Sequence, residues 1–252
     1  MIHLDKVSKA YNETLVLDGV ELTLPTKQVV AFIGSNGAGK STVLNIVSRL
    51  LPATAGKVII DDQELKQWDN RELAKRLTIL GQSLHTPARL TVEELVRFGR
   101  YPHSGGKLGA DDLVIVQEAM DYTGIAPLKH RYLDELSGGQ RQIAYIAMAI
   151  AQDTEYILLD EPLNNLDMSR SVKVMQLLQM LVQEKNKTIF IVIHDINFVS
   201  FYADYVVALK DGVLKHHGQV NEIINSDVLK DIYDIDIDIL DYQGKKLCVY
   251  YQ

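Results

Sequence analysis

The segment Gly34-Ser35-Asn36-Gly37-Ala38-Gly39-Lys40-Ser41-Thr42 constrains the fold more than any other stretch of the chain. It fits the spacing G-x-x-x-x-G-K-[ST]. Val29-Val30-Ala31-Phe32-Ile33 precedes it, apolar and β-prone, as a buried parallel strand should be. Residues 42–50 follow, with Val43, Ile46, Val47 and Leu50 at helical spacing. Strand, glycine loop and helix in that order predict an α/β fold. Glycines allow the loop to curl so that several N–H groups point inward at phosphates. The helix N-terminus adds a partial positive charge facing the same anion. Lys40 would reach β- and γ-phosphates, and the Ser41 hydroxyl would ligate Mg²⁺. Gly34, Asn36, Gly37, Gly39, Lys40, Ser41 and Thr42 are therefore candidate residues for binding a nucleoside triphosphate.

The 252 residues suit one large domain or a core with a subdomain. A net charge of -7 and the lack of any Lys/Arg run argue against a nucleic-acid partner. The one cysteine, Cys248, leaves no internal disulfide framework and fits a reducing compartment. The opening residues carry an early acid and no long apolar stretch, unlike a signal peptide. The longest apolar run, 143–151, is far short of the ~20 residues a membrane span needs.

Along the chain, Ile2, Leu4 and Val7, then Leu15 to Leu17, then Val20, Leu22 and Leu24 predict three short strands before a turn at Pro25. Tyr11 lies in the loop between the first two, where an exposed ring could stack on a base or simply pack. Residues 68–76 read as a short polar helix and 78–82 as a strand ending on Gln82. From about Ser83 to Glu155 the pattern turns helical, with a Thr91–Glu94 capping box, a loop over 101–109 and a helix over 111–123. This reads as an inserted helical subdomain. Strand and helix then alternate: 156–160, 171–184, 188–193, 196–203 and 205–209. Lys210-Asp211-Gly212-Val213 is a hairpin signal, and Ile235, Ile237 and Ile239 predict a strand in the tail.

Two adjacent acids, Asp160 and Glu161, end the apolar run Tyr156 to Leu159. In a parallel sheet that position faces the ligand edge. Asp160 would contact Mg²⁺ directly or through water, and Glu161 would polarise an attacking water. A helix cap followed by Pro162 is the purely structural reading. Leu136-Ser137-Gly138-Gly139-Gln140 opens the next helix. Ser137 and Gln140 form a capping box, yet the same atoms make a second phosphate-binding surface. One triphosphate does not need two such cradles from one molecule, so the second would serve another subunit's nucleotide. His194 follows the strand 188–193 and could donate to a γ-phosphate.

Together these motifs resemble the ATP-binding cassette (ABC) ATPase family, in the order Tyr11, Gly34 to Thr42, Gln82, Leu136 to Gln140, Asp160-Glu161-Pro162, Leu166-Asp167 and His194. The resemblance covers about residues 1–225. It implies a P-loop NTPase (RecA-like) core with an N-terminal antiparallel β-subdomain. Core and β-subdomain would take 1–82 and 156–225, the helical subdomain 83–155, and a short extension 226–252. It also implies ATP and Mg²⁺ as cofactors, with Tyr11 on adenine. Gln82 would touch Mg²⁺ and the lytic water, and Ser137, Gly138, Gly139 and Gln140 would close on ATP of the opposite copy. Asp167 would cross the dimer interface, and His194 would be the switch histidine. Asn165 stands where Ala is common, and Gly81 where Pro is frequent; neither removes a catalytic atom.

Leu80-Gly81-Gln82, Phe98 to Pro102 and Asp160 to Met168 are similar to iron-siderophore importer ATPases, particularly the catecholate type. This implies a homodimer in the ATP-bound state and two integral-membrane permease subunits, docked through residues 91–102. An extracytoplasmic substrate-binding protein would take part indirectly. The chain would be cytoplasmic, on the inner face of the membrane. Importers of haem, vitamin B12 or metal ions are the neighbouring readings, and a soluble non-transport ABC ATPase is a third.

Overall fold

The computed structural model describes residues 1–82, 88–164 and 166–250. The first residues expected of the helical subdomain, 83–87, and Asn165 lie outside the described residues. In chain order the elements are β1 (Ile2–Tyr11), β2 (Thr14–Leu24), β3 (Val29–Ile33), α1 (Lys40–Val47), β4 (Ala55–Ile60), β5 (Gln63–Glu64), α2 (Asn70–Arg76), β6 (Leu77–Leu80), α3 (Val92–Phe98), α4 (Tyr101–Ser104) and α5 (Ala110–Tyr122). Then come α6 (Gly138–Ala151), β7 (Tyr156–Asp160), α7 (Met168–Lys185), β8 (Thr188–Val192), α8 (Ile196–Tyr202), β9 (Tyr205–Lys210), β10 (Val213–Gln219), α9 (Val220–Ile223), α10 (Ser226–Tyr233), β11 (Asp238–Tyr242) and β12 (Lys245–Val249). They form two compact units, Met1–Trp68 with Thr188–Gln252, and Asp69–Lys187.

In the first unit β3 lies between β8 and β9, parallel to both, and β10 pairs antiparallel with β9. Every residue of β3 and of β8 is buried. That is the reason both read as unbroken apolar runs: a strand covered on two faces has no polar side. Each fully buried Val, Ile or Phe there contributes about 1.5–3 kcal/mol. An antiparallel sheet in the order β2-β1-β4-β5 completes the unit. Its strands alternate buried and exposed positions, as a sheet with one solvated face does.

Two strands, not three, open the chain. Asp18-Gly19 interrupts the apolar alternation but lies inside β2, where Gly19 takes φ +56° and the register to β1 shifts. A bulge absorbs the irregularity that a turn would otherwise explain. The tail also differs from the expectation. The strand begins only at Asp238, and α10 precedes it, capped by the Asn225 side chain on the Val228 amide (2.9 Å). Leu229 and Ile232, one turn apart, are its buried residues.

In the second unit β6 and β7 run parallel, Leu77 to Leu80 against Tyr156 to Leu159. The capping box at α3 forms as expected, with Thr91 and Glu94 satisfying each other's amides. The segment expected as a loop begins as helix α4, with Pro102 in its first turn, where a missing N–H costs nothing. Arg100 enters α4 almost fully buried. It donates to Asp112 (2.9 Å) and to the Ala151 carbonyl (3.0 Å), and the His103 Nε2 contacts the Gln152 carbonyl (2.8 Å). These bonds tie α4 to α5 and to the end of α6. The Asp112 carboxyl is held below the usual carboxylate range by the Gly109 amide and by Arg100.

Candidate functional site

The glycine loop leaves the carboxyl end of β3, and the turn carrying His194 leaves the carboxyl end of its parallel neighbour β8. The Ile193 amide still donates to the Phe32 carbonyl (3.4 Å), so both loops emerge at one sheet edge. That is the edge where open α/β sheets bind ligands. Gly34 turns the chain with φ +139°, and a Cβ there would lie 2.1 Å from the Leu209 carbonyl oxygen. Only glycine fits. Ser35, Asn36 and Gly37 are exposed, whereas Gly39 and Lys40 are buried. The Lys40 ammonium donates to the Gly34 and Ser35 carbonyls, both at 2.8 Å. It holds the loop curled, with its charge inside the curve. Gly39 is the N-cap of α1 and supplies no side-chain acceptor. The first amides of α1 therefore lack the cap that a Ser or Asp would supply, which is the arrangement that favours a phosphate. Ser41 and Thr42 sit on that first turn, half-buried.

Tyr11, expected in a loop, is instead the last residue of β1; it is 49% exposed, with the Lys9 ammonium 4.9 Å from its ring centroid. A cation behind the ring leaves an aromatic platform of the kind a base can stack on. His194 is exposed, and Asp195 beside it caps α8 through the Asn197 and Phe198 amides (2.8 and 3.3 Å).

The second unit brings Gln82 and Glu161 together. Gln82 follows β6 and Glu161 follows β7, so the parallel pairing places them side by side. The Gln82 Nε2 donates to the Glu161 Oε2 at 2.6 Å, and the Asn164 Nδ2 donates to the same oxygen at 2.6 Å. Glu161 itself has φ +52°. A non-glycine residue in that region costs about 1–3 kcal/mol, and such strain clusters at functional sites. Asp160, one residue earlier and still in β7, is only 5% exposed. The turn therefore sends two adjacent carboxylates into different environments, one enclosed by the strand layer and one presented by amide donors. Sequence reasoning missed Asn164. Its spacing three residues after Glu161 carries no signal until the turn geometry is known.

Leu136 is buried, Ser137 and Gly138 are exposed, and Gly139 is buried at the start of α6. Ser137 and Gln140 make the reciprocal cap: the Ser137 amide donates to Gln140 Oε1 (3.0 Å) and the Gln140 amide to Ser137 Oγ (3.3 Å). The cap uses the serine oxygen as acceptor, which leaves its O–H as a donor on an exposed surface. Asp167 caps α7 by accepting from the Arg170 amide (2.9 Å).

Among the described residues no helix is long and apolar enough to cross a membrane. Residues 17–164 match the family described as ABC transporter. The chain is 49% identical over 251 residues to the petrobactin import ATP-binding protein YclP of Bacillus subtilis (strain 168), covering 100% of both. It is 37% identical over 239 residues to the ferric enterobactin transport ATP-binding protein FepC of Escherichia coli (strain K12), covering 94% of this chain and 88% of that one. Among solved structures, a dimeric ATP-binding cassette in a post-hydrolysis state, bound to ADP and Pi, matches with a TM-score of 0.79. The two are 30% identical, and the match covers 87% of this chain and 99% of that one. A family match over more than half of the chain and full-length likeness to import ATP-binding proteins leave one conclusion: the chain is an ATPase and belongs to the ABC transporter family.

Proposed function

We propose that this chain is the ATP-hydrolysing subunit of an importer for iron-siderophore complexes, with Glu161 as the base. The observation that carries the catalytic reading is the carboxylate of Glu161, aimed by Gln82 and Asn164 from a strained turn. Such a group abstracts a proton from an attacking water without first reorganising. Lys40 and the α1 amides bind the phosphates, Tyr11 stacks on adenine, and the exposed His194 donates to the γ-phosphate. Two copies close head to tail on two ATP molecules, Ser137 to Gln140 of each completing the loop of the other. Closure and reopening drive two permease subunits through residues 91–102, on the cytoplasmic face of the membrane. The working division is a core of 1–82 and 156–225, a helical part 83–155 and an extension from 226.

The residues fit Mg²⁺. The ion is held by one or two carboxylates together with phosphate and water oxygens, not by an all-protein cage. Asp160, a buried carboxylate at a strand end, would supply such a ligand, with the Ser41 hydroxyl and the Gln82 amide oxygen as the further donors we assign to the ion. Among the described residues no cluster of three or more His, Cys, Asp or Glu could hold a metal unaided. When bound, the ion neutralises charge on the β- and γ-phosphates.

Full-length likeness to a petrobactin import protein supports the siderophore class. Deleting the gene in its host and supplying one iron source at a time tests it. Growth should fail on a ferric catecholate siderophore and persist on haem. Unchanged growth on every siderophore, with loss on haem, vitamin B12 or a metal ion, would move the cargo to that class.

A further inference from the structure

The tail after α9 lies beyond the stretch that matches the family, yet it reaches the phosphate loop. Tyr233, the last residue of α10, places its hydroxyl oxygen 3.2 Å from the Gly34 amide, which donates to it. Gly34 is where the chain leaves β3, and a backbone N–H at that point needs a partner once the ladder ends. The partner comes from 199 residues away. Burial pushes the Tyr233 phenol up to about 12, and the Gly34 amide pulls in the opposite direction. It is therefore a neutral hydroxyl at any working pH.

Other contacts fix the tyrosine. Leu229 and Ile232 are buried, Asn225 caps α10, and the Lys210 ammonium donates to the Asp231 carbonyl (2.7 Å) and to Asp234 (2.8 Å) at its end. The His216 Nε2 adds a contact to Asp231 Oδ2 at 2.8 Å. Beyond α10, β12 is fastened to α8: the Asn197 side chain accepts from the Cys248 amide (2.8 Å) and donates to its carbonyl (3.1 Å). Asn197 lies in the first turn of α8, three residues after His194. The tail thus touches the glycine loop at Gly34 and the helix that follows the His194 turn.

We infer that the segment from Ser226 to Val249 is a brace for the nucleotide site, and that Tyr233 is a positioning residue acting through the Gly34 amide. The loop that Lys40 holds curled is preorganised only while its first amide is anchored. Without the anchor a smaller fraction of molecules is competent to bind, and the apparent Kd rises by the inverse of that fraction. This rests on the loop's role as ATP cradle and is independent of the cargo.

Tyr233→Phe keeps the ring and removes the acceptor. Binding of a fluorescent ATP analogue should weaken about 2- to 10-fold, the range one hydrogen bond spans. The kcat at saturating ATP should stay within about twofold, since no group that touches the reacting atoms is lost. Amide hydrogen exchange over residues 34–40 should speed up, while β1, β2 and β4 keep their protection. An unchanged Kd with unchanged exchange at 34–40 would overturn the inference, and so would a lower melting temperature with an unchanged Kd. Failure of the wild-type chain to bind the analogue would instead strike the loop's own assignment.

Discussion

Gly34→Ala isolates what the loop's first residue does. The added Cβ meets two penalties. The backbone sits at φ +139°, and the new carbon would lie 2.1 Å from the Leu209 carbonyl oxygen and 3.1 Å from its carbon. Both contacts are backbone atoms of β9, which cannot rotate away. Strain of this kind costs about 1–3 kcal/mol, and forced displacement in a packed interior a further ~1–3 kcal/mol. The sum is about 2–6 kcal/mol, against a total stability of roughly 5–15 kcal/mol. At about 2–4 °C per kcal/mol for a chain of this size, the melting temperature should fall by roughly 4–24 °C. Gly37→Ala is the control. Gly37 also has positive φ (+81°), but its Cβ would meet nothing within 4 Å. Its cost is conformational only, about 1–2 kcal/mol, so melting should fall by about 2–8 °C. Thermal unfolding followed by circular dichroism without nucleotide compares the two. If Gly34→Ala melted no lower than Gly37→Ala, the close approach to Leu209 would carry no energy and the reasoning would be refuted.

Two further predictions concern the fold. Arg100 is buried against Asp112, so Asp112→Ala leaves a buried guanidinium uncompensated, at about 3–5 kcal/mol. Melting should fall by roughly 6–20 °C; a fall under 2 °C would show the pair to be solvated. Tyr122 and Tyr233 are each pushed up to about 12, Tyr122 by burial and by Glu184, which accepts its hydroxyl at 2.9 Å. A raised phenol favours the protonated fold, so its contribution is full below pH 10 and is lost as pH rises towards 12. Denaturant unfolding from pH 9 to 12 should show that decline, and Tyr122→Phe should make it shallower; an identical slope would remove Tyr122 from the account.

Much of the site was legible because local patterns carried it. The run Val29 to Ile33 and the spacing of Val43, Ile46 and Val47 identified strand and helix, and the glycine loop lay between them. The caps at Thr91 and Ser137 were readable because a capping box is a four-residue event. What escaped notice depends on turns or on distance. Asn164 gains its role from the left-handed turn at Glu161. Tyr233 gains its role from a bond spanning most of the chain. Helix α10 was hidden by the Ile/Asp alternation just after it, which drew the strand too early. Phe98 to Pro102 read as a mark of kinship, yet Arg100 and His103 prove to be fastenings among α4, α5 and α6.

The central claim is that Glu161 activates the water that attacks ATP. Single-turnover hydrolysis by Glu161→Gln tests it most directly. The amide oxygen can still accept from Gln82 and Asn164, so the local geometry should persist and ATP should bind within about threefold of wild type. The hydrolysis rate should fall by about 10²–10⁴-fold, and the ATP-bound variant should accumulate as a dimer on size exclusion. Hydrolysis at the wild-type rate, with ATP bound, would contradict the assignment.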